Sequence, residues 1–439
     1  MTSKQQEAER IISAIKNGVV PHAYLKLLGV GREDEIKEFK RCIKLTEEGS
    51  SIVKFLIGSF GCGKTFLLSQ IEELALSSNF AVAKIQVGKD FKFNKTEEIY
   101  YNVTHALRIS GSDIAGTCFE EMFENWIAEL AKEKDRSEAV RKLDHGIFTI
   151  EKHNSSFAIA FKAYIKAKLK KNKDECISIS AWIKGEKNIP ATTKVKFGIK
   201  GDVDKENSLD FLKAFLKTTT LLGYSGLVVL VDETSLITNE RKDIRAKSYE
   251  NIKSLIDMST LGQSDNCMFI FGGTNELIDD AEKGIKSYPA LYNRIINGYD
   301  SEDENLKNLR DLRQPIIRLE KLKEEELKLL TIRTINIHRI AYSWNIKIED
   351  KDIDGFVERT CKRTGNEKME ANTREYLKNL VDALDIMEQN PGVNLFSGSE
   401  NGNSQENYNN KVKVAEVEDT QNKIEKSFEY VEEEMIDLC

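Results

Sequence analysis

Apolar positions change their spacing several times along this chain, and each change marks an element. Residues 4–17 carry Ile11, Ile12 and Ile15 on one face of a 3.6-residue repeat, which predicts a short amphipathic helix. Gly18-Val19-Val20-Pro21 then turns the chain into a loop ending in Gly29-Val30-Gly31-Arg32-Glu33, and a charged helix is expected over 35–45. After Gly49-Ser50-Ser51, the apolar run at 52–57 reads as a buried strand. A glycine-rich loop follows and opens directly into a helix at 65–76, and a strand at 80–87 completes one βαβ unit.

Further runs extend the pattern. Residues 226–231 are continuously apolar and end in acid, as a strand covered on both faces does. Residues 267–271 form another such run, ending in Gly272-Gly273-Thr274-Asn275, and 315–319 is expected as a fifth strand. Strands alternating with helices predict an α/β fold with a doubly wound parallel sheet. The interval from Lys64 to Asp232 is far longer than two βαβ passages of about 30 residues each. A mostly helical insertion is therefore placed at about 94–205, beginning with helices at 97–108 and 119–134. Residues 320–395 are helical in pattern, 396–412 are rich in Asn, Ser and Gly and read as linker, and 415–438 are acidic, a possible docking helix.

Composition narrows the class. At 439 residues the chain has room for two or three domains, and 40% hydrophobic content is ordinary for packed cores. A formal net charge of -7 excludes a globally basic binder but not a local basic face. No run approaches the roughly 18 apolar residues of a membrane span, and the polar N-terminus does not read as a secretory signal. The seven cysteines are scattered, without a CxxC pair or histidines at zinc-ligand spacing, which fits a reducing interior. A cytoplasmic protein with no membrane partner is expected.

The chemistry begins at Gly58-Ser59-Phe60-Gly61-Cys62-Gly63-Lys64-Thr65, which matches GxxxxGK[ST] between a strand and a helix. The glycines let backbone N–H groups turn inward around phosphates, and the helix N-terminus adds its partial positive charge. Lys64 is expected on the β- and γ-phosphates, the Thr65 hydroxyl on Mg²⁺, and Phe66 follows on the helix. Leu227-Val228-Val229-Leu230-Val231-Asp232-Glu233 supplies the second half. An acid at the C-terminal end of a buried strand faces the crevice where such sheets bind ligand. Asp232 is assigned to the Mg²⁺ shell and Glu233 to the general base that polarises the attacking water. An acidic N-cap would account for one carboxylate but not for two in tandem. The chain is therefore expected to bind and hydrolyse ATP with Mg²⁺.

Weaker candidates surround this pair. Thr274 and Asn275 end the next strand, expected between the other two, where a polar side chain orients the lytic water; a turn after Gly272-Gly273 explains Asn275 at least as well. Arg294 and Arg374 are candidate reporters of the γ-phosphate, since a planar guanidinium matches phosphate oxygens in pairs. Gly31 and Arg32, in the loop before the first strand, are candidate nucleotide contacts. Eleven lysines crowd residues 162–200, from Lys162 to Lys200, against only Asp174, Glu175 and Glu186. They read either as a DNA-backbone track with Tyr164, Trp182 and Phe197 for stacking, or as a solvated helix face plus an exposed hairpin.

The order Gly31-Arg32-Glu33, phosphate loop, Asp232-Glu233, Thr274, Arg294 and Arg374 resembles the AAA+ ATPases of the ORC and STAND type. Gly18-Val19-Val20-Pro21, Lys54-Phe55-Leu56-Ile57-Gly58, Tyr249-Glu250-Asn251-Ile252, Phe271-Gly272-Gly273-Thr274-Asn275-Glu276, Gly284, and Pro289-Ala290-Leu291-Tyr292-Asn293-Arg294-Ile295 narrow it. Together they resemble the BrxD family of BREX phage-defence ATPases over roughly residues 8–390. The resemblance implies a P-loop NTPase of AAA+/ASCE type: N-terminal helices and a pocket loop at 1–50, a core at 51–319 holding the insertion, a helical lid at 320–395, and a linker with an acidic tail at 396–439. It further implies a helicase-like partner, action on or near DNA, Arg294 as arginine finger or sensor (the former making an oligomer), and Arg374 as lid sensor. One departure is visible: relatives carry Pro-Arg-Glu where this chain has Thr373-Arg374-Glu375, so the helix start loses a proline at its first turn. A nucleotide-gated switch of STAND type with slow turnover is the rival reading, and a nucleic-acid clamp with incidental ATP binding a third.

Overall fold

The apolar runs at 52–57, 226–231 and 267–271 become neighbouring strands of one sheet. The computed structural model describes residues 3–19, 24–112, 118–132, 136–187, 189–296, 310–345, 348–363 and 372–396. Helices α1 (Ser3–Lys16), α2 (Leu25–Leu28) and α3 (Glu33–Glu47) precede β1 (Ser51–Gly58). Next come α4 (Lys64–Ser77), β2 (Ala81–Gln86), α5 (Thr96–His105) and β3 (Leu107–Arg108). Six helices follow: α6 (Cys118–Lys132), α7 (Arg136–Glu151), α8 (Ser155–Leu169), α9 (Lys173–Ile183), α10 (Ala191–Phe197) and α11 (Ser208–Leu221). β4 (Leu227–Asp232), α12 (Lys242–Thr260), β5 (Cys267–Gly273), α13 (Asn275–Asp279), α14 (Pro289–Ile295) and β6 (Ile316–Leu319) complete the sheet region. Last are α15 (Glu324–Tyr342), α16 (Asp350–Arg363) and α17 (Thr373–Gln389).

These elements fall into two compact units. One holds the described residues of Met1–Asp34, Ser59–Gln70 and Leu319–Cys439; the other holds those of Glu35–Gly58 and Ile71–Arg318.

In the second unit the strand order is β3-β2-β4-β5-β1-β6. β2, β4, β5 and β1 run parallel, and every residue of β4 and β5 is buried. The sheet is nevertheless mixed, not wholly parallel as expected, because β3 pairs antiparallel with β2 through Val82–Arg108 and Ala83–Leu107. The helix expected to reach residue 108 stops at His105. The two residues beyond it gain more at the sheet edge: Leu107 is fully buried, and the Arg108 guanidinium reaches Glu72 of α4 at 2.6 Å. A carboxylate as buried as Glu72 requires such a partner.

Lys54, in the middle of β1, is also buried. Its ammonium donates to the carbonyls of Leu312, Arg313 and Gln314 at 2.8–2.9 Å and lies 3.3 Å from Glu38, which holds the segment entering β6 beside β1. An ammonium with three hydrogens finds a full set of acceptors there, which offsets its desolvation.

Helices α6 to α11 carry an aromatic core that is continuous with the sheet's. Phe123 and Tyr164 meet edge to face at 4.7 Å, and Trp182 packs on Phe211 at 5.2 Å. Tyr164 and Trp182 are fully enclosed, so neither offers a ring to a nucleic-acid base. Of the two readings the sequence allows, this rules out stacking by Tyr164 and Trp182, whereas Phe197 is half-buried. The lysine-rich stretch is also helical (α8, α9 and α10) where an exposed hairpin was one expectation. Apolar positions alternating with lysines on these helices mark the boundary of a core, with stems packed and charges outward.

The first unit has its own core, in which Ile11, Ile12 and Ile15 of α1 pack with Leu327, Leu330, Leu380 and Leu384. A polar group seals it. His338 pairs with Asp385 at 3.1 Å through Nε2 and accepts the Trp344 indole N–H at 2.8 Å on Nδ1, while Asp385 also pairs with Lys16. The expected linker and acidic tail beyond residue 396 lie outside the described residues, as do Val20 and Pro21.

Candidate functional site

Parallel register brings three strand ends to one edge of the sheet. Ile57 stands opposite Gly273, and Val231 opposite Phe271. Gly58, Thr274 and the pair Asp232-Glu233 therefore leave β1, β5 and β4 side by side, with β5 in the middle as the sequence predicts.

At the end of β4, Asp232 is buried and its Oδ1 accepts the Glu233 N–H at 2.8 Å. Glu233 itself takes the left-handed conformation, φ 53° and ψ 30°. For a side-chain-bearing residue this costs on the order of 1 kcal/mol and is found where geometry matters more than local comfort. The Thr234 hydroxyl anchors the turn on Val231 O at 3.1 Å. Ser235, which the sequence reading passed over, accepts the Thr274 N–H and so joins the turn after β4 to the end of β5. A methyl group at Gly273 would stand 3.0 Å from that Ser235 hydroxyl and 2.6 Å from Leu277, which explains the small residue there. Asn275 is exposed at the start of α13.

Arg294 on α14 is engaged within the same unit. It grips both carboxylate oxygens of Asp257 on α12 and also donates to Ala290 O. The Arg294 hydrogen bonds, with help from Lys253, hold the Asp257 carboxyl below its usual range.

In the first unit, residues 59–65 form a tight loop into α4. Gly61 and Gly63 have φ of 78° and 96°, left-handed values that favour glycine. The Lys64 ammonium folds back to donate to Ser59 O at 3.0 Å, and the Cys62 N–H reaches the same carbonyl at 3.3 Å. Thr65 is exposed, the Cys62 side chain is buried, and Phe66 packs against the core of this unit. Phe60 stands out at 66% exposure, with the Arg374 guanidinium 5.9 Å from its ring centre.

Two other parts of the unit touch this loop. Arg32 is buried and donates to Cys62 O at 2.9 Å and to Glu320 O at 2.5 Å. Gly31 beside it has φ 66°, and a Cβ there would meet the Glu326 carboxylate at 2.4 Å. From the other side comes α17. Asn372 caps it by accepting from Arg374 N at 3.1 Å and Glu375 N at 3.4 Å. The helix start is thus secured without a first-turn proline, by the side chain best suited to the task. The Asn372 amide also fills the space beside Gly61, where a Cβ would lie 2.1 Å from its Oδ1. The sequence places Asn372 at the start of that helix, but nothing in it points to Gly61.

Five of the eleven lysines of 162–200 have a carboxylate partner among the described residues, and Lys166, Lys170, Lys171, Lys173, Lys187 and Lys200 are exposed. Lys162, Lys168, Lys184, Lys194 and Lys196 pair with Glu151, Glu124, Glu120, Asp202 and Glu175.

The sequence matches the model of the BREX system ATP-binding protein BrxC/D family over residues 3–400. This chain belongs to that family. BrxC/D membership makes it an ATP-binding protein of BREX antiviral defence, working among other components of that system. No curated protein and no solved structure matches it. No helix among the described residues is long and apolar enough to cross a membrane.

Proposed function

We propose that this BrxC/D-family protein is a Mg²⁺-dependent ATPase of the AAA+ type. The observation that carries the reading is the common edge at which Gly58, Thr274 and Asp232-Glu233 emerge from adjacent parallel strands. A glycine loop of left-handed residues suits a triphosphate, and the Gly63 Cβ position opens onto free space. Thr65 and Asp232 offer a hydroxyl and a carboxylate, the oxygen donors that Mg²⁺ takes. When bound, the metal would screen the phosphate charge. Lys64 would exchange its bond to Ser59 O for the β- and γ-phosphates, Glu233 would take the proton of the attacking water, and Thr274 would orient that water. Arg374, beside the loop, is assigned to read the γ-phosphate. Arg294, gripped by Asp257, is assigned as a finger, and an oligomer follows if it serves a neighbouring copy.

A helicase-like partner acting on DNA completes the reading at the level of the system. The lysine-rich stretch lends it little, since the enclosed rings of Tyr164 and Trp182 favour a solvated helix face over a stacking platform. Multiple-turnover ATP hydrolysis, measured with and without double-stranded DNA, tests the proposal. Steady turnover supports the ATPase, and stimulation by DNA supports the nucleic-acid role. A stable one-to-one ADP complex without turnover would replace it with the nucleotide-gated switch.

A further inference from the structure

The Thr373 amide, at the first position of α17, donates to Gly61 O in the middle of the phosphate loop at 3.2 Å. The preceding Asn372 side chain occupies the space that a Cβ on Gly61 would need. One residue further along the loop, Cys62 O is held by Arg32. Two successive loop carbonyls are therefore fixed from outside. In the first of these peptides the Cys62 amide closes the turn on Ser59 O at 3.3 Å; in the second, with Cys62 O held, the Gly63 amide is turned toward the opposite side, where an anion is received. Ordering that amide before the ligand arrives lowers the cost of binding.

We infer that Asn372 and Thr373 are positioning residues for the phosphate loop, with the first turn of α17 acting as a clasp on its outer face. The inference rests on the reading of residues 58–65 as the triphosphate site. The clasp uses a backbone amide at Thr373, so the identity of that side chain matters only in one respect. Proline is well accepted at the first position of a helix yet carries no N–H. Thr373→Pro therefore removes the contact to Gly61 O while leaving α17 able to form. Thr373→Ala keeps the amide and serves as its control.

The experiment has two readouts. Hydrogen exchange of the loop amides 60–63 is followed in nucleotide-free protein, and ATP affinity is measured by calorimetry. Faster loop exchange in Thr373→Pro, together with ATP binding weakened by roughly fivefold, about one net hydrogen bond, is the expected result; Thr373→Ala should match wild type in both. Unchanged exchange and affinity in a folded Thr373→Pro protein would overturn the clasp. Should that variant fail to fold, Asn372→Ser retains a capping oxygen but vacates the space beside Gly61. It should also quicken loop exchange, and an unaltered loop there would equally overturn the inference. Wild-type protein that takes up no ATP, while Thr373→Pro still loosens the loop, would remove the nucleotide reading and leave the clasp standing.

Discussion

A single nitrogen of Arg32 donates both to the carbonyl of Cys62 in the phosphate loop, at 2.9 Å, and to the carbonyl of Glu320, at 2.5 Å. Buried hydrogen bonds from a charged group contribute about 1.5–3 kcal/mol each. Arg32→Ala is therefore expected to weaken ATP binding by about tenfold or more, with Arg32→Lys between it and wild type. Titration calorimetry decides, and equal affinities for wild type and Arg32→Ala would sink the idea.

Lys64 and Glu233 should separate binding from chemistry. Lys64→Ala is expected to abolish measurable ATP affinity, whereas Glu233→Gln should bind normally and lose at least about 100-fold in turnover, the range of a general base. Hydrolysis by Glu233→Gln at the wild-type rate would dismiss Glu233 as the base.

The left-handed backbone at Glu233 predicts a conflict between stability and activity. Glu233→Gly relieves the strain and should raise unfolding stability by up to about 1 kcal/mol while eliminating turnover. Denaturant melts of the two proteins test this; a clear loss of stability in the glycine variant contradicts it.

Arg294 already has a carboxylate partner in Asp257. If it also completes a neighbouring copy's site, Arg294→Ala should leave ATP affinity within about twofold while cutting turnover by about 100-fold or more, as other arginine fingers do. Nucleotide titration beside steady-state hydrolysis separates the two, and parallel losses in both would assign Arg294 to binding instead.

His338 gives the first unit a dependence on pH. Burial is the largest influence and holds the imidazole below its ordinary value of 6.5, against the opposing pull of Asp385; the nearby Lys16 charge adds to the lowering. Trp344 requires an acceptor at Nδ1, which only the neutral ring provides. The unfolded chain therefore takes up a proton more readily than the folded one. The stabilisation is complete above about pH 6.5 and is lost as the pH falls through the folded value. His338→Gln lacks this titration, so the stability advantage of wild type over the variant should shrink between pH 7.5 and 5. An advantage that stays constant across that range refutes the assignment.

What the sequence disclosed follows from how strong each local signal is. β4 and β5 were legible because strands covered on both faces are continuously apolar, and β1 because Lys54 alone interrupts its apolar run before the glycine loop. The phosphate loop was legible because its backbone leaves little choice of residue. β3 escaped because two residues carry no period, and its formation depends on Glu72 of another helix. Ser235 and the contacts of Asn372 and Arg32 escaped for a different reason: each acts on a residue distant in sequence, through groups that many surface positions share. Tyr164 and Trp182 stayed open in the sequence since an aromatic beside lysines suits a stacking face and a core margin alike. Only the packing of α6 to α11 separates the two.

The outermost strands of the sheet have two residues, Leu107–Arg108, and four, Ile316–Leu319. So little unpaired backbone at either rim leaves poor purchase for a strand from another molecule. Association at the rim of this sheet, among the described residues, would then rest on side chains, where single substitutions can retune the choice of partner without disturbing the strands beneath.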